Sequence, residues 1–275
     1  MVILEPRAGL SNRILATATA YHYAKRYNHS VTMLWGIDNS LGIAVEELFQ
    51  MPEDIKIVYV TERSIRKVPF KRIRSEIIKA YYRHKADYMI DREFARKACR
   101  GIINVDMEKF FKDYETLYVQ SYTELMPITD HSIFKMFVPS EQICERGKKV
   151  FEQIDENTVG MHIRRTDHVD AIAMSPLELF LQKLEELMQE DGRKVFLATD
   201  DVETEQMIKE RWGERILTYE GKTFSRTNED GMKDGLIDML ALSKCQRIYG
   251  SHASTFGLMA SYLGDKKLIT LQLEN

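Results

Sequence analysis

Two adjacent arginines end an apolar alternation in TVGMHIRRTDH, residues 158–168, and an aspartate and a histidine follow at once. A guanidinium presents a planar fork of donors that fits a phosphate, and each charge-assisted bond contributes ~1.5–3 kcal/mol when shielded. At the two-residue period of a strand, His162 and Arg164 share one face, whereas Arg165 points the other way or begins the next loop. The plainer role for either arginine is an ion pair with Asp167 or Asp201 that holds the strand ends.

Three more stretches put polar residues directly after an apolar run: PRAGLSNR near the N-terminus, ATDD at 198–201 and GSHASTFG at 250–257. In the last, Ser254 and Thr255 stand where a helix opens and its first backbone N–H groups lack partners, a ready place for an anion. Ordinary N-capping by Ser251 or Ser254 is the plainer alternative, and His252 reads as a supporting residue rather than a catalyst. AGLSNR also joins a strand to a helix, but lacks the glycine fingerprint of dinucleotide folds and the lysine of a phosphate-binding loop.

The elements that must position these residues alternate regularly. A strand at MVILEP, a turn at RAGLSNR, a helix over 14–27 and a strand at SVTMLW form a βαβ unit, which implies a parallel sheet. IKIVYV and TLYVQSY read as further strands, SEIIKAYYRHKADYMI as helical in period, and a helix begins after Pro139 with Ser140 as its cap. The second half repeats the alternation. Strands at TVGMHIRR, KVFLATDD, RILTYE, RIYGSH and KLITLQL are separated by helices, the first of them opened by Ser175 as cap and Pro176 in the first turn. Open parallel sheets bind ligands at the carboxyl ends of their strands, where all four polar clusters fall. If the two sheets face each other, these clusters line one cleft for an anionic ligand.

The chain has 275 residues, 44% hydrophobic and 29% charged, with a net charge of -3, which suits one large globular domain or two of modest size and argues against a general nucleic-acid binder. Cys99, Cys144 and Cys245 lie far apart without metal-ligand spacing, so the expectation is a cytoplasmic protein with reduced thiols, no leader and no membrane span. From Arg63 to Arg100, thirteen Lys/Arg minus four Asp/Glu gives plus nine. That segment, with Phe70, Tyr81 and Tyr82 interleaved, offers peripheral contact with an anionic membrane, a solvated basic face being the plainer reading. Met232, Met239 and Met259 read as core.

In this order, GLSNR, HIRRTDH, FLATDD and GLIDMLALSKCQRIYGSHAST resemble the motifs of GDP-fucose-dependent fucosyltransferases, nearest to the α1,6-fucosyltransferase and Nod-factor branch. The resemblance runs well from about Thr158 to Ser261 and is slight before that apart from GLSNR. It implies an α/β, GT-B-like enzyme of two Rossmann-like lobes with parallel sheets. Residues 1–145 would form the acceptor side and 146–275 the donor side. It further implies inverting fucosyl transfer from GDP-fucose to a glycan hydroxyl, with no metal and no cofactor. The alternatives are a transferase for another nucleotide sugar, a non-catalytic binding protein, or a metal-dependent enzyme using Asp200 and Asp201. Carried over, Arg164 holds the donor diphosphate with help from His162, and Arg165 is the second arginine of the motif. Asp238 reads guanine, Ser254 and Thr255 close around the phosphates, and Asn12 reaches the donor. Asp200 and Asp201 match the acidic pair that organises the arginines and the sugar pocket.

The departure from the family is the base. Its glutamate falls on Ala171 or Ile172 here, in a loop HVDAIAMSP one residue shorter. A one-residue shift moves a side chain by ~3–4 Å, which would bring Asp170 to that point. His168 is the other candidate, and a solvated turn is the plainer reading of Asp170.

Overall fold

The computed structural model describes residues 1–61, 69–166, 169–224 and 228–274. The chain divides into two compact units, the first of Met1–Ser140 with Asn228 and Glu229 and the second of the remaining described residues from Glu141. In the first, β1 (Val2–Pro6), α1 (Leu10–Arg26), β2 (Val31–Ile37), β3 (Phe49–Gln50), β4 (Ile55–Thr61), α2 (Pro69–His84), β5 (Tyr88–Ile90), α3 (Arg92–Cys99), α4 (Met107–Asp113), β6 (Leu117–Ser121) and β7 (Val138–Pro139) follow in order. Five of these strands form one parallel sheet, β4-β2-β1-β6-β5, and β3 pairs antiparallel with β7.

The second unit runs α5 (Glu141–Gln153), β8 (Thr158–Ile163), α6 (Val169–Met174), α7 (Leu177–Leu187), β9 (Lys194–Thr199), α8 (Val202–Trp212), β10 (Ile216–Leu217), α9 (Glu229–Lys244), β11 (Ile248–Ser251), α10 (Thr255–Gly264) and β12 (Leu268–Leu271). Its sheet is parallel throughout, ordered β10-β9-β8-β11-β12. This is the α/β architecture of two Rossmann-like units expected from the alternation of strands and helices. Strands covered on both faces lose their alternation: every residue of β1 and of β8 is buried. Val159, Met161 and Ile163 pack with Phe180, Leu184, Val195 and Leu197 in the second core.

Several elements differ from the sequence reading. GLSNR is no turn: α1 starts at Leu10, so Asn12 and Arg13 lie in its first turn. Tyr88–Ile90 is an edge strand on β6 rather than the end of a helix, because backbone pairing there overrides the helical period. The stretch after the arginines is helical over Val169–Met174 rather than a flexible turn. Ser175 does not cap α7; its hydroxyl donates to the Leu271 carbonyl at 2.5 Å and accepts from the His252 N–H at 2.8 Å, while Pro176 occupies the cap position. Those bonds tie the start of α7 to the loop after β11 and to the end of β12.

The α10 helix is seated against α9 by close approach at Gly264, where a Cβ would lie 2.0 Å from the Ser243 carbonyl oxygen. Gly235, inside α9, has open space where its Cβ would be. Gly264→Ala should therefore lower stability by roughly 3 kcal/mol or more, and Gly235→Ala should raise it by ~0.5–1 kcal/mol. Thermal melts of the two variants check this pair of opposite signs.

Candidate active site

In the second sheet the strand order reverses between β8 and β11, and the carboxyl ends on either side of such a switch point form a natural crevice. Arg164 leaves β8 at that point. Its backbone N–H donates to the Ser251 hydroxyl at 3.0 Å, joining the two loops. Asp200, just past the end of β9, holds the arginine turn in place. One carboxylate oxygen accepts the Arg165 N–H at 2.7 Å, and the other accepts the Thr166 hydroxyl at 2.7 Å while lying 3.4 Å from Arg164 Nε. Among the described residues Arg164 pairs with Asp200 rather than with the neighbouring Asp201. Asp201 caps α8, accepting from the Thr204 N–H at 3.0 Å and from the Thr204 hydroxyl. Asp167 and His168 lie outside the described residues.

His162 is buried and stacks on Phe256, ring centroids 4.8 Å apart, which links the end of β8 to the first turn of α10. Ser254 holds the N-cap position without a side-chain cap bond, and Thr255 opens the helix. Ala253 before it takes φ 50°, a left-handed conformation costly for a side-chain-bearing residue and concentrated at functional turns. Capping therefore does not account for the serine. Arg165 adds a buried Nη1 that has no hydrogen-bond partner among the described residues. Donors facing no acceptor, a strained turn and an uncapped helix start all call for negative charge.

Asp238, on α9, is buried beside Lys222, with Nζ–Oδ2 at 3.2 Å. Its Oδ1 has no hydrogen-bond partner among the described residues. Burial pushes its carboxyl up to about 6, against the opposing pull of Lys222, and Glu205 and Asp234 add to the rise. Burial works against the charge on Lys222, but Asp238 and Glu205 outweigh it and raise its pKa. A carboxylate with one oxygen tied to a cation and the other unmet is suited to the paired N–H donors of a flat polar ring. Asp170 stands exposed in the first turn of α6, and the adjacent Ala171 is buried.

The first unit has its own pocket at the carboxyl end of its sheet, a cavity of about 880 Å³ lined by Arg7, Asn12, Lys79, Arg83, Arg92 and Tyr122 among others. Beneath it lies Glu5, fully buried in β1. Lys79 approaches its carboxylate to 3.0 Å, Arg7 to 3.5 Å and Arg83 to 3.8 Å, while Tyr118 and Gln120 donate to it at 2.7 and 2.8 Å. Burial and then Glu5 raise the Tyr118 pKa, so its phenol stays a donor. Three cations around one carboxylate leave this floor positive. Arg13 is fully buried and ties two loops together, donating to the carbonyls of Ala8 and Gly36 and pairing with Asp38 at 2.8 Å. Ala8 is left-handed at φ 67°, and α1 begins behind Gly9 without a side-chain cap, the same construction as at α10.

No family model matches the chain, and no curated protein matches it in sequence. Solved structures do match. The NodZ alpha-1,6-fucosyltransferase soaked with GDP-fucose aligns with a TM-score of 0.58 at 17% identity, covering 95% of this chain and 92% of that one. Fucosyltransferase NodZ from Bradyrhizobium aligns at 0.58 and 14%, covering 94% and 92%. POFUT1 in complex with GDP-fucose aligns at 0.56 and 13%, covering 99% and 98%. The chain has the fold of these fucosyltransferases. Two Rossmann-like units with parallel sheets are the GT-B type expected from the motifs, and the likeness spans nearly the whole chain, including the first unit where the motif resemblance was slight.

Sequence reasoning missed Lys222, Glu5 and Arg13. No spacing pointed to Lys222, which lies 16 residues before Asp238. Glu5 sits in an otherwise apolar strand, and a charge inside such a strand was the available signal.

The raised Asp238 pKa has a signed consequence for stability. Between the ordinary value of 3.8 and about 6 the folded protein holds a proton that the unfolded chain has released. The stability due to this group is therefore fully present below 3.8 and is lost as pH rises through about 6. Asp238→Asn should flatten the fall in stability across that window, by on the order of 3 kcal/mol at most. Denaturant melts of both proteins at about pH 3.5 and about pH 7, on either side of that window, would show it; parallel profiles would contradict it.

Proposed function

We propose that the chain is a glycosyltransferase that moves fucose from GDP-fucose to a glycan hydroxyl, with inversion and without a metal ion. The observation that carries this reading is the convergence at the β8–β11 switch point of Arg164, an unmet Arg165 donor and the strained, uncapped start of α10. The fold shared with fucosyltransferases supports it.

In this reading the diphosphate lies against Arg164, with Arg165, Ser254 and Thr255 around it and His162 behind. As the bond from the sugar carbon to the phosphate oxygen breaks, its electron pair stays with the departing GDP. Fixed cations and helix N–H groups stabilise that growing charge without reorganising. Asp238 accepts from the ring N–H and amino group of guanine with its two oxygens, Oδ2 keeping its bond from Lys222. The oxygens of Asp200, and Oδ2 of Asp201, already accept bonds from Arg165, Thr166 and Thr204, which favours their structural role over cation binding. The first unit, with Asn12 in its pocket, is the acceptor side. The acceptor oxygen attacks the sugar carbon from the opposite face and gives its proton to a base, for which Asp170 is the candidate on α6.

GDP should raise the melting temperature more than UDP or ADP. At ~100-fold the dissociation constant the gain is ~2.7 kcal/mol, and equal shifts for the three nucleotides would remove the guanine assignment. Transfer from GDP-fucose to a mixed glycan pool should persist in EDTA, and loss of transfer restored by Mn²⁺ would overturn the metal-free mechanism. Asp170→Asn should keep the GDP shift while lowering transfer at least ~100-fold. A variant as fast as the parent would sink Asp170 as the base.

A further inference from the structure

The α2 helix has two faces of opposite character. Its inner face is held in the first unit by Ser75 and Lys79, both buried, the former accepting the Thr61 N–H and the latter pairing with Glu5. Its outer face exposes Phe70 at 86%, Ile73 at 60%, Ile77 at 64% and Tyr81 at 52%. At 100° per residue, spacings of three, four and four bring these side chains into one stripe about 80° wide. They make up four of the largest apolar exposures in the chain, gathered on a single helix. Isolated exposed apolar residues need no explanation, but a contiguous stripe marks a surface that something covers.

The charges beside the stripe say what covers it. Residues 69–85 hold six Lys/Arg and one Glu, a net plus five. Lys71, Arg74 and Lys85 are exposed along the stripe, and the Lys85 ammonium lies 4.5 Å over the Tyr81 ring. A second copy of this face would set cations against cations and be repelled. An anionic lipid surface offers the opposite charge and an apolar layer for the side chains. We infer that α2 lies flat on an anionic membrane surface, with Phe70, Ile73, Ile77 and Tyr81 buried among the acyl chains and Lys71, Arg74 and Lys85 at the headgroups. The aromatic residues suit that interface. Lys79 and Arg83, on the opposite side of the helix, keep the pocket of the first unit facing away from the lipid. No helix among the described residues is long and apolar enough to cross a membrane, so the contact is peripheral.

The test is sedimentation of the full chain with vesicles of phosphatidylcholine alone and with phosphatidylglycerol added. It does not depend on transfer activity. The protein should pellet with the anionic vesicles and weaken steeply with salt. Removing each buried isoleucine should lower partition about tenfold, so I73D/I77D should lose roughly a hundredfold. K71E/R74E, which leaves the apolar stripe intact, should also lose binding, and far-UV spectra should be unchanged because all four side chains are exposed. Failure to bind anionic vesicles, or equal binding by either variant, would overturn the inference. So would self-association of the parent that I73D/I77D abolishes, since the stripe would then be an interface between copies.

Discussion

A pair of arginines at the end of a buried central strand can act on a ligand only if something holds them there, and Asp200 does so. Its carboxylate takes the Arg165 N–H, the Thr166 hydroxyl and the flank of Arg164, fixing backbone and side chain together. Asp200 is placed by β9, the parallel neighbour of β8, through a register that sets Ile163 opposite Thr199. Without that clamp, two like charges at one turn would spread apart into solvent. The other side of the crevice is fixed by Ser251, which receives the Arg164 N–H, and by the His162–Phe256 stack. Three strands thus meet in one small polar volume.

The two units use one device twice. After β1 and after β11 an alanine adopts the left-handed conformation, and the following helix begins without a side-chain cap. A residue with a Cβ held in that region costs on the order of 1–3 kcal/mol, a strain that persists where surrounding structure fixes it. In the first unit Arg13 provides the fixing bonds, binding the Ala8 carbonyl and the loop after β2. The result in each unit is a helix start without a side-chain cap at the carboxyl edge of a parallel sheet. In the first unit the edge is made positive by Lys79, Arg7 and Arg83 gathered on Glu5.

Much of this was legible in the sequence, for physical reasons. Alternating strand and helix periods require parallel sheets, and parallel sheets put polar function at strand ends, so HIRRTDH, ATDD and GSHASTFG could be read as neighbours. Arg164, Asp200 and Ser251 do meet at that edge. The ion pair with Asp200 rather than Asp201 was not legible, because both residues follow the same strand and only the start of α8 decides which one becomes a cap. The Lys222–Asp238 pair joins a loop to a helix with no periodic relation. The basic segment showed its charge but not its outer face. Phe70 and Tyr81 read as interleaved with the basic residues, and the structure adds Ile73 and Ile77 to the same outer face by placing Ser75 and Lys79 inside.

The central claim is that nucleotide diphosphate binds where β8 and β11 diverge. A crystal structure of the protein with GDP tests it most directly. The account predicts phosphate oxygens within hydrogen-bond reach of Arg164 and the backbone N–H groups that begin α10, with the guanine edge on Asp238. Nucleotide bound away from Arg164 and α10, or a guanine ring that leaves Asp238 untouched, would contradict it.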